Sequence, residues 1–117
     1  MVTALKIEPG KNPFPCQICD NEEYLNYCVS IGSTIPYMAA ALRLEGDIAI
    51  IYSKNGAIFS LPGNRRVCDR IIAGTFYIVR VKNGKLLSLT DTDVVKYSLE
   101  YWDIETYTDE EVIDSWV

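Results

Sequence analysis

The chain has 117 residues, 49% of them hydrophobic, and a formal net charge of −5. That is enough apolar material for one domain with its own core, while no apolar run approaches a membrane span and residues 1–5 lack the layout of a secretory signal. A cytoplasmic protein with no membrane partner is expected.

Residues 3–7 read as a first strand, closed by Pro9-Gly10 and by Pro13, which removes a backbone donor and keeps Asn12 out of helix. Residues 14–18 suit a second strand. Asp20 then offers an N-cap with Glu23 as its capping-box partner, and Tyr24, Leu25, Tyr27 and Cys28 supply the apolar face of a short helix that stops at Gly32. Residues 34–45 are ambiguous, because 38–44 favour helix by propensity while Pro36 and the shortness of the run argue against it. Residues 48–52 and 57–61 are expected to form a hairpin across Asn55-Gly56, a pair that tolerates positive φ. Between Leu61 and Thr75, a stiff polar loop starting at Pro62-Gly63 carries Asn64, Arg65, Arg66 and Arg70.

Residues 71–81 read as strand interrupted by Gly74, and Asn83-Gly84 turns the chain into 85–89. Thr90 and Asp93 form a capping box for a helix whose line Val94, Tyr97 and Tyr101 is flanked by Val95, Leu99 and Trp102. That broad stripe is expected to pack against the sheet. Thr108 and Glu111 cap a last short helix carrying Val112, Ile113 and Trp116. The fold class is therefore α+β: a small, mostly antiparallel sheet with two packed helices and a short acidic C-terminal helix. Residues 1–102 form the domain, and 103–117 an acidic extension packed on or beside it. Trp102 and the Val112-Ile113-Trp116 patch suit either internal packing or a homodimer.

Chemistry is thinly represented. There is no histidine to activate a serine or cysteine, and no nucleophile-elbow pattern. Cys16 and Cys19 form one Cys-x-x-Cys unit, but no second follows; with Cys28 and Cys68 they would have to bind zinc as four thiolates at an unusual spacing. Reduced, mostly buried thiols are expected instead. Asp91 and Asp93 suit a helix N-terminus better than acid–base work. The reading has no catalytic residues, no metal and no cofactor, and the protein is expected not to be an enzyme; an unrecognised active site is the alternative.

Two surfaces remain. Asn64, Arg65, Arg66 and Arg70 either brace a corner or recognise a partner, and as a small-anion or nucleic-acid site they form the second alternative. Direct nucleic-acid binding is disfavoured by the overall acidity. Charge is also unevenly spread. Up to Lys96 the chain holds 11 Lys and Arg against 9 Asp and Glu, whereas Glu100, Asp103, Glu105, Asp109, Glu110, Glu111 and Asp114 follow with no base. Such a tail repels phosphates and attracts a basic protein surface.

Several ordered pieces carry a resemblance: Ile7-Glu8-Pro9-Gly10-Lys11, Ile31-Gly32-Ser33, Asn55-Gly56, Leu61-Pro62-Gly63-Asn64-Arg65, Ile71-Ile72-Ala73-Gly74-Thr75-Phe76, and Ser88-Leu89-Thr90-Asp91 with Lys96-Tyr97. Over about residues 3 to 102 the chain resembles the domain of unknown function 3846 family of bacteria, bacteriophages and conjugative elements. Ser33 stands where the family usually has a second glycine, the 13–19 strand is rich in cysteine, and the tail after Trp102 runs past the family core. The resemblance implies a non-enzymatic phage or mobile-element accessory protein. Its expected partner is a host or defence-system protein with a basic surface, which it binds and inhibits through its acidic residues.

Overall fold

The computed structural model describes residues 1–21, 24–26, 28, 39–57 and 60–117. Its strands are β1 (Val2–Ile7), β2 (Phe14–Ile18), β3 (Ala39–Glu45), β4 (Ile48–Ser53), β5 (Gly63–Val67), β6 (Arg70–Ala73), β7 (Phe76–Lys82) and β8 (Lys85–Leu87). Two helices follow, α1 (Asp91–Glu100) and α2 (Asp109–Asp114), and residues 24–26 and 28 are also helical. The main sheet runs β2-β1-β7-β4-β3, with β8 beside the second half of β7, while β5 and β6 form a separate hairpin. Every pairing is antiparallel.

Both faces of the main sheet are covered, and the period of two sorts its side chains. Leu5, Ile7, Ile48, Ile50, Phe76 and Ile78 face one way and pack with Tyr97 of α1, Tyr101, and Val67 and Ile72 of the hairpin. Ala4, Ala49, Ile51, Tyr77 and Val79 face the other way and pack with Cys28, Tyr24 and Leu25 of the early helical residues. Each large aliphatic or aromatic side chain buried in this way stabilises the fold by about 1.5–3 kcal/mol. Together these elements make the α+β architecture expected from the sequence.

The chain after α1 crosses back to the hairpin. Val112 of α2 is buried against Ile71 and Ala73. Ser115 Oγ accepts from the Ile71 amide at 2.9 Å, and Trp116 Nε1 donates to the Ile71 carbonyl at 2.8 Å. The extension thus satisfies the outer edge of β6, which would otherwise present unpaired backbone groups. It approaches very closely: a Cβ on Gly63 would lie 2.9 Å from both Tyr107 Cβ and Val112 Cγ2.

The two later capping boxes form as expected, with Thr90 bonded to Asp93 and Thr108 to Glu111. Asn83 (φ 52°) and Gly84 (φ 75°) make the expected tight turn between β7 and β8. One ambiguity is resolved and three expectations need correction. Residues 39–45 are strand β3, because Leu42 and Leu44 alternate toward the core and pairing with β4 outweighs helical propensity. The hairpin partner of β4 is β3, reached through Gly46 (φ 51°), and residues 57, 60 and 61 are outside any strand; 58–59 lie outside the described residues. The early N-cap is Asn21, whose Oδ1 accepts from the Tyr24 amide at 2.9 Å, while Asp20 accepts from Leu86 N and ties down β8. Finally, Asn64, Arg65 and Arg66 belong to β5 and not to a loop. Glu23, Tyr27, the 31–33 helix exit and Pro36 lie outside the described residues.

Candidate functional site

Strand β5 carries a register shift between Gly63 and Arg66, and this bulge breaks the inside–outside alternation. Asn64 and Arg65 therefore both turn inward, and each is fully buried. The Arg65 guanidinium is held by oxygen atoms alone. Nε donates to the Tyr101 carbonyl at 3.1 Å, Nη2 to the Lys11 carbonyl at 2.7 Å and Nη1 to Asn64 Oδ1 at 2.8 Å. Asn64 Nδ2 in turn donates to the carbonyls of Ile7 and Gly74, both at 2.9 Å. Among the described residues Arg65 makes no ion pair. Burial pulls its pKa below the ordinary value, against the opposing influence of Glu105, Asp103 and Tyr107. An arginine so placed remains cationic.

The four residues of the expected recognition loop are thus split. Asn64 and Arg65 have no surface to offer, and they staple the turn after β1, the turn after β6 and the end of α1. Arg66 and Arg70 are exposed, but both lie over aromatic rings of the extension. Arg66 sits 5.7 Å from the Tyr107 centroid and Arg70 5.0 Å from that of Trp116. Arg66 Nη1 also donates to the Asp69 carbonyl at 3.3 Å.

The acidic residues divide as well. Glu105 Oε1 accepts from the Arg66 amide at 3.1 Å and from the Tyr107 hydroxyl, so it joins the extension to β5. Glu111 closes the α2 capping box by accepting from the Thr108 amide at 2.9 Å, and those bonds hold its carboxyl below the ordinary value. Glu100, Asp103, Asp109, Glu110 and Asp114 are exposed and, among the described residues, in no ion pair. Two of these oppose helix electrostatics. Glu100 and Asp114 occupy the last turns of α1 and α2, where negative charge is unfavourable and where neither helix has a base. Both helices flank the same core, since Tyr97 of α1 and Trp116 after α2 pack in one cluster.

The stripe on α1 is narrower than its sequence suggests. Tyr97 and Tyr101 are buried and Val94 is half-buried, but Val95 (59% exposed), Leu99 (72%) and Trp102 (50%) point outward. One hydrophobic line of a helix is enough to cover this part of the sheet, so the flanking positions stay in water. Nothing in the periodicity separates the two lines, because both repeat at three and four residues.

The four cysteines are not brought to one point, because Cys68 lies apart from Cys16, Cys19 and Cys28. Cys16 and Cys28 belong to the cluster on the face opposite α1, where burial pushes the Cys16 thiol above its ordinary pKa. Cys68 is exposed at the tip of the β5–β6 hairpin, and all four are free. Among the described residues no group of three or more His, Cys, Asp or Glu side chains is placed to hold a metal ion. No described helix is long and apolar enough to cross a membrane.

The main-chain oxygens that receive Asn64 and Arg65 come from Ile7, Lys11, Gly74 and Tyr101, and the sequence pieces around the first three are those that carry the family resemblance. Residues 2–102 match the family described as Domain of unknown function (DUF3846). The chain belongs to that family. In this DUF3846 member the matched span ends one residue beyond Tyr101, so the whole Asn64–Arg65 staple lies within it and the extension from residue 103 lies outside it. No curated protein matches the chain, and neither does any solved structure.

Proposed function

We propose that this protein is a non-enzymatic accessory protein of a phage or mobile element that acts in the host cytoplasm by binding, and inhibiting, a host or defence protein through its acidic C-terminal side. The observation that carries this reading is the set of five exposed carboxylates, Glu100, Asp103, Asp109, Glu110 and Asp114, that form no ion pair among the described residues. Two of them sit where they weaken their own helices, so the fold does not account for them. A basic functional surface would neutralise them on docking, giving fast and selective association without a catalytic set.

The small-anion or nucleic-acid reading loses its main donors, because Asn64 and Arg65 are buried and Arg66 and Arg70 lie over Tyr107 and Trp116 beside acidic residues.

The test is affinity capture from host or infected-cell lysate, comparing the wild type with a variant carrying Asp109→Asn, Glu110→Gln and Asp114→Asn. Glu111 and Glu105 are left intact because they hold the fold. A stoichiometric partner retained by the wild type and lost from the variant is the expected result. A partner held equally by both would show that these charges are not the binding surface.

A further inference from the structure

The exposed side of α1 carries a hydrophobic ridge that its own fold does not use. Val95 and Leu99 lie one helical turn apart, and Trp102 (50% exposed) follows just after the helix, three positions beyond Leu99. Single exposed apolar residues are ordinary, but Val95, Leu99 and Trp102 follow one another at helical spacing along α1 and its C-terminal end, which sets them in one line. Val95, Leu99 and Trp102 are each at least half exposed, and the early helical residues pack on the opposite face of the sheet. The patch is rimmed by Asp91, Glu100 and Asp103, all exposed. Its one base, Lys96, is engaged with Glu45 at 2.5 Å.

We infer that this ridge is the apolar centre of the binding surface proposed above, and that it takes a protein segment with an apolar face bordered by Lys or Arg. The inference rests on that proposal and adds where contact is made. Charge complementarity selects the occupant. In a two-fold contact through the ridge, the acidic rim of one copy would be brought against the same acidic rim of the other, a like-charge arrangement that opposes pairing. An anionic lipid surface would be repelled by the same rim.

The probe is a short helical peptide of leucine and lysine with one apolar and one cationic face, titrated while tryptophan emission is followed. A lysine-only peptide is the control. Wild type is expected to bind the amphipathic peptide, Leu99→Ser to bind it at least about tenfold more weakly, and the emission shift to vanish in Trp102→Phe. Leu99 is exposed, so Leu99→Ser should retain the wild-type circular dichroism. Equal affinity of Leu99→Ser and wild type overturns the ridge, as does equal affinity for the lysine-only peptide; in both cases the acidic reading survives by itself. Absence of peptide binding also overturns it, leaving the acidic reading to its own capture test. A wild-type dimer that Leu99→Ser dissociates in sedimentation would assign the ridge to a second copy and overturn the inference too.

Discussion

Asn64 and Arg65, neighbours in the chain, are bonded to each other through their side chains, Arg65 Nη1 donating to Asn64 Oδ1 at 2.8 Å. Regular strand geometry would send them to opposite faces. The bulge in β5 brings both into the interior, where the amide serves the guanidinium with its oxygen and two carbonyls with its nitrogen. A charge is thereby buried on neutral acceptors.

Replacing Arg65 with Lys is therefore expected to be far from conservative. A lysine cannot match the planar donor fork, so at least one of the three acceptors, two of them in buried bonds, loses its partner. Equilibrium unfolding in urea should show a loss of about 2–4 kcal/mol. A loss below about 0.5 kcal/mol, the scale of an ordinary surface change, would mean that the staple contributes little.

Gly63→Ala probes the approach of the extension. The added methyl would meet Tyr107 and Val112 at 2.9 Å, and overpacking of this kind costs about 1–3 kcal/mol. Val112→Ala in the same chain should relieve part of that cost. Purely additive destabilisation in the double-mutant cycle would place the strain elsewhere.

Thr108→Ala removes the side-chain cap of α2 and is expected to cost about 1 kcal/mol. By contrast, Asp114→Asn should leave the thermal midpoint at or slightly above that of the wild type, since this carboxylate opposes the end of its helix and has no ion-pair partner among the described residues. Glu110→Gln, in the favourable first turn of α2, should cost no more than about 0.3–1 kcal/mol. A clear fall in midpoint for Asp114→Asn, or a larger loss for Glu110→Gln, would assign that carboxylate to the fold and weaken its assignment to binding.

Acid should destabilise the protein through particular carboxylates. Burial alone would raise the Asp93 pKa, but its bonds to Thr90 and the charge of Arg80 outweigh that and hold it below its ordinary 3.8. Lys6 and Lys11 likewise hold Glu8 below 4.5. Groups depressed in the folded state stabilise it fully above their unfolded values, and this stabilisation is lost as pH falls through the folded ones. Denaturation midpoints should thus be flat between about pH 5 and pH 7 and fall below about pH 4, with a shallower fall in Asp93→Asn. Midpoints that hold steady down to pH 2 would contradict the assignment.

Local signals with a single chemical meaning were legible in the sequence. Thr90 with Asp93, Thr108 with Glu111, and Asn83-Gly84 all appear where their residue types require. Long-range competition was not legible. Asn55-Gly56 resembles a hairpin turn, yet neither residue has positive φ; instead Cys68 (φ 49°) and Asp69 (φ 66°) turn a hairpin that no glycine or asparagine marks. The same limit applies to Arg65. Polar residues beside Pro-Gly normally signal surface, and only the β5 bulge, together with acceptors from two distant segments and from Asn64, makes burial possible. The two lines on α1 were inseparable because both have helical spacing, and contact with the sheet alone decides between Tyr97 and Leu99.

The guanidinium of Arg65 reaches a carbonyl 54 positions earlier and another 36 positions later. Neither acceptor is local, so no isolated hairpin or helix can satisfy it. A partly assembled chain that has collapsed around β5 would hold a charge with missing partners and would lose free energy by staying closed. Arg65 would thus act as a check on assembly, penalising compact forms in which the two flanking segments have not both arrived.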